Sequence, residues 1–174
     1  MISSPRIMKF LCLGTAAALF VLQITNPLAA SELEIADSVL IKKSERKLYL
    51  LKNGQTIRSM DIALGLVPEG DKQAEGDFRT PEGRYKLTER NPGSDFFLSI
   101  LISYPDNRDA WHARTLGVDP GGQIMIHGMP NNPKHSPDYY RWTDWTDGCI
   151  AVSNSNMVDI WLMTDNNTPI EIVP

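Results

Sequence analysis

Two residues that can carry out nucleophilic catalysis lie 22 positions apart in the second half of the chain. Cys149 belongs to the stretch DWTDGCIAV at 144–152, and His127 ends the alternating run QIMIH at 123–127. A thiol reacts as its thiolate, and an imidazole can accept the thiol proton near neutral pH. The pair therefore predicts attack by sulfur on an amide or ester carbonyl, with a thioester as intermediate.

Strand periodicity indicates how these two side chains can meet. If the isoleucines of the run at 123–127 face the core, His127 points to the opposite side of the strand. If Ile150 faces the core, Cys149 also points away from it. We therefore expect neighbouring strand ends to bring imidazole and thiol into one cleft.

Gly148 suits the backbone around such a nucleophile. Because it has no side chain, the chain can approach a reacting carbonyl closely just before Cys149. The N–H of Cys149 and a neighbouring amide would stabilise the oxyanion that forms on attack.

Other interpretations of these residues remain open at this stage. Cys149 could be a small buried core residue or could form an intermolecular disulfide. His112 and His135 match no motif and are expected on the surface or in loops. A metal site built from the histidines and the cysteine is disfavoured, because no pair has close zinc-ligand spacing. We therefore predict no metal ligands and no cofactor.

The first 30 residues read as a secretory signal peptide. Arg6 and Lys9 precede an apolar run at 10–24, and small residues close the segment at Ala30. The run is short for a membrane-spanning helix, so cleavage near Ala30 is favoured over a retained anchor. Cys12 would leave with the segment. The remainder, 31–174, is expected to form one domain with a single thiol.

The charge of this domain disfavours some partners. Removing Arg6 and Lys9 from the 17 basic side chains leaves 15 against 21 acidic ones, a formal charge of −6. Nucleic acid is therefore not expected as a partner, nor is an anionic membrane surface after signal cleavage.

The remaining pattern predicts a mostly β domain. Apolar residues recur with period two around 39–64, at 85–87 and at 123–127, with turns at 44–45 and 53–54. One helix is predicted from about 154 to 164, capped by Ser153 or Asn154, and PIEIV at 169–173 predicts a closing strand. Two long loops, 65–83 and 129–146, are expected to be functional or mobile.

Several motifs together resemble the L,D-transpeptidase catalytic domain, also called the YkuD domain, of bacterial cell-wall enzymes. They are IHG at 126–128, TDGCI at 146–150, GD at 76–77, TPEGRY at 80–85 and TPIEI at 168–172. The resemblance extends over about 37–173. It implies an L,D-transpeptidase-like β-sandwich or mixed sheet with one main α-helix near the C-terminus.

The resemblance also implies an activity and its residues. Cys149 would be the nucleophile that opens a peptidoglycan stem peptide after the L-centre of a diaminoacyl residue. His127 would be the acid/base, and the carbonyl of Gly128 would hold its other ring nitrogen. The acyl group would pass to an amine on a second stem or a wall protein, in the periplasm.

The chain departs from the commonest motif of this family, SHGCIR. Asp147 replaces the second histidine and Ala151 replaces the arginine, so the groups that bind the substrate carboxylate are expected to differ. A carboxylate beside the nucleophile would raise the thiol pKa, so Asp147 is expected to point away or to contact a substrate amine. The segment from His127 to Cys149 is longer than usual and predicts a larger lid.

The predicted substrate-binding residues follow from these departures. They comprise the three residues before the nucleophile and two from the lid: Thr146, Asp147, Gly148, Arg141 and Trp142. Two alternatives stay open. One is a hydrolytic L,D-carboxypeptidase or amidase with water as the acceptor, and the other is a non-catalytic peptidoglycan-binding domain.

Overall fold

The computed structural model describes residues 33–174, together with Met1. The predicted signal segment, 1–30, lies outside the described residues apart from Met1, and so does Cys12. Across 33–174, none of the helices is long and apolar enough to cross a membrane.

A three-stranded meander begins the domain. Its strands are β1 (Ser38–Lys42), β2 (Lys47–Lys52) and β3 (Gln55–Asp61), paired antiparallel. Alternate side chains such as Val39, Ile41, Leu48 and Leu50 are fully buried, because the period of two turns every second residue towards the core. The hairpins predicted from the turn residues are confirmed.

Five further strands complete one mixed sheet of eight. They are β4 (Gly83–Asn91), β5 (Ser99–Ile102), β6 (Met125–His127), β7 (Ile150–Ala151) and β8 (Pro169–Val173). The spatial order is β3-β2-β1-β8-β4-β5-β6-β7. The last strand in sequence therefore lies in the middle, parallel to β1 and antiparallel to β4. The prediction of a mostly β domain with a mixed sheet is confirmed.

The sheet curls until its two ends meet. Just beyond β3, Ala63 pairs with Ala151 of β7: the N–H of Ala63 donates to the carbonyl of Ala151 at 2.9 Å, and the reverse bond measures 2.8 Å. β6 and β7 pair in parallel, with Ile126 opposite Ile150. Cys149, immediately before β7, is thereby fixed beside β6, which ends at His127.

The described residues contain three helices. The predicted one is observed as α3 (Asn154–Met163), capped by the hydroxyl of Ser153, with Met157, Ile160 and Met163 in the core. Two others were not predicted: α1 (Asn107–Leu116) and α2 (Pro137–Trp142). The segment 129–146, expected to be a loop throughout, therefore contains a short helix.

A buried lysine holds the long segment between β3 and β4. The Nζ of Lys43, a residue only 2% exposed, donates to the carbonyls of Gly70 and Thr80 at 2.6 and 2.9 Å and to Glu82 Oε1 at 2.8 Å. These three acceptors lie 27 to 39 residues away along the chain. Lys43 therefore fixes both ends of a loop that borders the cleft described below.

We expect Lys43→Met to destabilise the fold by about 3 kcal/mol, because it leaves a carboxylate and two carbonyls without their donor. Urea unfolding followed by tryptophan fluorescence measures the change. The adjacent Lys42 offers a matched control, since it pairs with Glu45 at an exposed position. Lys42→Met should leave the midpoint nearly unchanged, and equal losses for both variants would contradict the role given to Lys43.

Candidate active site

A cavity of about 230 Å³ brings the candidate base and nucleophile together. Its walls come from the segment before β5, from β5 and β6 and from the turn before β7. The lining residues are Ser94, Phe96, Ser99, Met125, His127, Trp145, Thr146, Asp147 and Cys149. Four residues chosen from the sequence therefore line one cleft, and Gly148 lies between two of them.

The imidazole of His127 is fixed by its own neighbourhood. Its Nδ1 lies 2.8 Å from the carbonyl oxygen of Gly128, so an Nδ1–H donates there and leaves Nε2 free to accept a proton. The ring packs against both Phe96 and Trp145, with centroid distances of 4.6 and 5.6 Å. Gly128 is required, because a Cβ there would lie 2.7 Å from Asn154 Oδ1.

Burial lowers the pKa of His127, and the hydrogen bond to the Gly128 carbonyl opposes this only partly. The ring therefore stays neutral to a lower pH than an ordinary histidine. A neutral imidazole with a free Nε2 is the form that can accept a proton from the thiol.

The thiol of Cys149 is neutral at rest for the same reason. Burial raises its pKa, and the negative charge of Asp147 raises it further, while a hydrogen bond from the Met125 backbone and the positive charge of Lys72 oppose the shift. The sulfur lies 3.7 Å from the carbonyl oxygen of Gln123. Because the thiol pKa is raised and the imidazole pKa is lowered, burial favours the neutral form of both groups.

A tight turn aims the nucleophile. The hydroxyl of Thr146 accepts from the Gly148 N–H at 3.2 Å and donates to the Cys149 carbonyl at 2.7 Å. Gly148 has φ +128°, and a Cβ there would lie 2.7 Å from the Arg79 carbonyl. Because the hydroxyl of Thr146 and the amide of Gly148 are occupied within the turn, the Cys149 N–H is the better candidate for the oxyanion.

The other three predicted substrate-binding residues, Asp147, Arg141 and Trp142, lie in different surroundings. Asp147 is exposed and lines both the cavity of Cys149 and a neighbouring one. Arg141 lines a larger cavity of about 450 Å³ that contains neither Cys149 nor His127. Trp142 is 72% exposed, with the guanidinium of Arg141 4.8 Å from its ring centroid. Contacts of these residues with substrate stay predictions.

The segment 129–146, which we call the lid, is tied down at both ends. At one end the N–H of Met129 donates to Asn154 Oδ1 at 2.8 Å. At the other, Asp144 accepts from the Leu64 N–H at 2.9 Å and from Arg46 at 2.8 to 3.2 Å. Asp144 and Arg46 could not be predicted as partners from the sequence, because 98 residues separate them and neither belongs to a motif.

The lid reaches the imidazole through aromatic rings that pack edge to face. Tyr140 of α2 is buried, and its ring lies 5.0 Å from that of Trp145, which contacts His127. The hydroxyl of Tyr140 accepts from the backbone N–H groups of Lys134 and His135. Between 33 and 174, no group of three or more His, Cys, Asp or Glu side chains is placed to hold a metal ion.

Comparison with known proteins supports one family. The family model described as the L,D-transpeptidase catalytic domain, YkuD, matches residues 36–172. YafK of Escherichia coli (strain K12), provisionally named an L,D-transpeptidase, is 36% identical over 100 residues. That match covers 52% of this chain and 37% of YafK.

Solved structures show the same fold. The helical cell shape determining protein Pgp2 of Campylobacter jejuni is 28% identical with a TM-score of 0.59, over 77% of this chain and 46% of Pgp2. An L,D-transpeptidase of Xylanimonas cellulosilytica, 15% identical, has a TM-score of 0.52 over 80% of this chain and 61% of its own. The chain thus spans less than half of YafK and of Pgp2.

We expect the alkylation of Cys149 by iodoacetamide to report its raised pKa. In the full chain carrying Cys12→Ser, the pH midpoint of the alkylation rate should lie above that of the same protein unfolded in urea. Asp147→Asn should lower this midpoint, because it removes a like charge next to the thiolate. Glu89→Gln, at an exposed position of β4, should not. A folded midpoint at or below the unfolded one would indicate a thiolate–imidazolium pair at rest.

We expect Asp144→Asn to loosen the lid, because the amide cannot hold Arg46 as the carboxylate does. Limited trypsin cleavage within the lid, at Lys134 and Arg141, should become roughly 10-fold faster. This is the increase in local opening that we expect from the loss of one charge-assisted hydrogen bond. The control is Asp159→Asn in α3, whose carboxylate lies 3.8 Å from Arg58 at the surface. Equal cleavage rates in both variants would remove Asp144 from this role.

Proposed function

Because this chain belongs to the family of L,D-transpeptidase catalytic domains, YkuD, we propose that it is an exported cysteine acyltransferase acting on peptidoglycan stem peptides. The observation that carries the proposal is the shared cavity in which Cys149 lies with the buried, neutral His127. The signal-like pattern of the first 30 residues supports export to the periplasm.

In the proposed acylation, this cavity supplies both the nucleophile and the base. The sulfur of Cys149 bonds to the carbonyl carbon at the L-centre of the diaminoacyl residue while Nε2 of His127 takes the thiol proton. The Cys149 N–H would donate to the oxyanion. When the tetrahedral intermediate collapses, the C–N bond breaks, and His127 returns the proton to the departing amine of the terminal D-residue.

Transfer to an acceptor reverses these roles. An amine of a second stem peptide or of a wall protein attacks the thioester, His127 removes a proton from that amine, and the sulfur leaves as a thiol once it is reprotonated. Water in place of the amine would give a trimmed stem peptide. The chemistry needs no cofactor, because the thiol and the imidazole supply the nucleophile and the proton transfers.

A role in shaping the cell wall is consistent with this activity. Pgp2, which is 28% identical over 77% of this chain, is described as a helical cell shape determining protein. The match covers 46% of Pgp2, so the comparison concerns only that part of Pgp2. We extend to this chain only the remodelling of stem peptides.

The proposal is tested with a purified tetrapeptide stem and intact-protein mass spectrometry. We expect a covalent adduct on the wild-type protein equal to the stem peptide without its terminal D-residue, and none on Cys149→Ala. His127→Gln should slow formation of the adduct by about 10²- to 10⁴-fold, because general-base assistance is lost. His112→Gln, an exposed histidine of α1, is the matched control and should react at the wild-type rate.

The products then identify the acceptor. New cross-links or peptide–protein adducts support transfer, whereas trimmed monomers alone would assign the activity to the hydrolytic alternative. A wild-type protein with a free thiol that forms no adduct, while still binding the peptide, would favour the non-catalytic wall-binding alternative.

A further inference from the structure

Two buried polar atoms in the cavity of Cys149 have no partner in the protein. Between 33 and 174, three buried side-chain nitrogen or oxygen atoms make no hydrogen bond: Arg79 Nε, Ser99 Oγ and Trp145 Nε1. Of these, Ser99 and Trp145 both line the cavity of about 230 Å³ that contains the thiol. Because leaving a buried hydrogen bond unmade is costly, these two atoms point to a ligand that supplies the missing partner.

The hydroxyl of Ser99 lies on the same side of the sheet as the base. Ser99 is 1% exposed, and in the antiparallel pairing of β5 with β6 it lies directly opposite His127. Residues that face each other across such a pair turn their side chains to the same face, with Cβ atoms about 5 Å apart. A group bound to Ser99 is therefore held beside the imidazole.

Trp145 contributes a donor from the end of the lid. Its backbone N–H donates to the Leu64 carbonyl at 3.2 Å, and its ring lies edge-on to that of His127 at 5.6 Å. The residue as a whole is half-buried, whereas its Nε1 is buried. Because the backbone is fixed, a rotation of the indole is the movement that would bring this N–H to a ligand.

The other hydroxyl groups of this cavity are already engaged. The hydroxyl of Ser94 accepts from the Phe96 N–H at 3.1 Å, and that of Thr146 is bonded within the turn. An indole N–H can only donate, whereas a hydroxyl can donate and accept. The capacity left for a ligand is therefore one donor on Trp145 and one hydroxyl on Ser99.

The charges of the cavity select a neutral ligand group. Its lining residues, all within 33–174, include no lysine or arginine, and burial keeps the imidazole neutral by lowering the pKa of His127. Asp147 is the one carboxylate among these lining residues. A ligand carboxylate would meet that like charge without a counterion, and an ammonium group has no atom to accept from the indole. A peptide amide fits, since its carbonyl accepts and its N–H donates.

The scissile bond indicates which amide of the stem peptide this is. With the scissile carbonyl at Cys149, the next amide on the donor side begins one Cα away, and successive Cα atoms are about 3.8 Å apart. That amide therefore falls within the same cavity. The leaving residue on the opposite side ends in a carboxylate, which this cavity does not neutralise.

We propose that Ser99 and Trp145 bind the backbone amide that precedes the diaminoacyl residue of the stem peptide, with Trp145 Nε1 donating to its carbonyl and Ser99 Oγ accepting from its N–H. The inference rests on the proposed function for the identity of the peptide. Both residues then hold the donor peptide in register, so that its next carbonyl is presented to the sulfur beside His127.

Ser99→Ala distinguishes a hydroxyl that binds a ligand from one that supports the fold. Because the hydroxyl has no partner in the protein, its removal should not lower the melting temperature. Calorimetry in the inactive Cys149→Ala background should nevertheless show the tetrapeptide stem binding roughly 3- to 10-fold more weakly. Ser59→Ala, at an exposed position of β3, is the matched control and should change neither quantity. A lower melting temperature with unchanged affinity would assign the hydroxyl to the fold and overturn the inference.

A depsipeptide stem tests the amide itself. In this probe an ester oxygen replaces the N–H that precedes the diaminoacyl residue, so the donor to Ser99 is absent. We expect Cys149→Ala to bind the amide at least about 5-fold more tightly than the ester. Adding Ser99→Ala should reduce this ratio to below about 2, and adding Trp145→Phe should give an intermediate ratio, because the ester carbonyl is also the weaker acceptor. Adding Trp111→Phe, at an exposed position of α1, should leave the ratio unchanged.

The ratio of the two affinities is compared because a change in packing at position 145 affects both peptides alike. The inference is overturned if Cys149→Ala binds amide and ester equally, if it binds neither, or if the full ratio persists after Ser99→Ala is added.

The mass-spectrometric assay keeps the two proposals apart. Adducts that form on the wild-type protein at equal rates with the amide and the ester stem, at every peptide concentration, would uphold the proposed function and contradict this inference. Amide-dependent binding to Cys149→Ala, without any adduct on the wild-type protein, would uphold the inference and contradict catalysis.

Discussion

The two hydrogen bonds between Ala63 and Ala151 are the contact on which the site depends. They close the curled sheet. Without them β7, which is only two residues long, would pair with β6 alone. A strand this short has little stability of its own, so its position comes from its neighbours. With β7 held between two partners, the turn from 146 to 149 has a fixed direction, and the sulfur remains in the cavity of the imidazole.

Burial then decides how the pair works. Water exclusion disfavours charge on both groups, so the imidazole and the thiol rest in their neutral forms. Such a site protects a solitary thiol against oxidation, since the reactive species is the thiolate. Among the described residues, Asp147 is the carboxylate whose charge raises the pKa of the Cys149 thiol.

The sequence supported prediction of the strands and of a cleft shared by His127 and Cys149, because both depend on short-range patterns. Alternation showed which face of each strand is buried, and that parity placed His127 and Cys149 on the side away from the core. α3 was predictable because a capping residue directly precedes a run of apolar residues with helical spacing. α1 was missed because only Asp109 and Ala113 of its residues are buried, although Asp106 caps it and Gly117 ends it. α2 was missed because a six-residue helix has hardly more than one turn of pattern.

Long-range polar contacts could not be predicted in this way. Lys43 reads as one more charged residue at the end of a strand, and Asp144 as a loop residue before a tryptophan. Their partners lie 27 to 98 residues away, and no local pattern records the distance.

The lid is held at Met129 by Asn154 and at Asp144 by Arg46. Asn154 and Arg46 both lie outside the lid. Within the lid, Tyr140 is constrained as well, because its ring packs on Trp145, which contacts His127. Changes at the exposed positions of the lid would therefore reshape the surface beside the cavity while the sulfur and the imidazole keep their places.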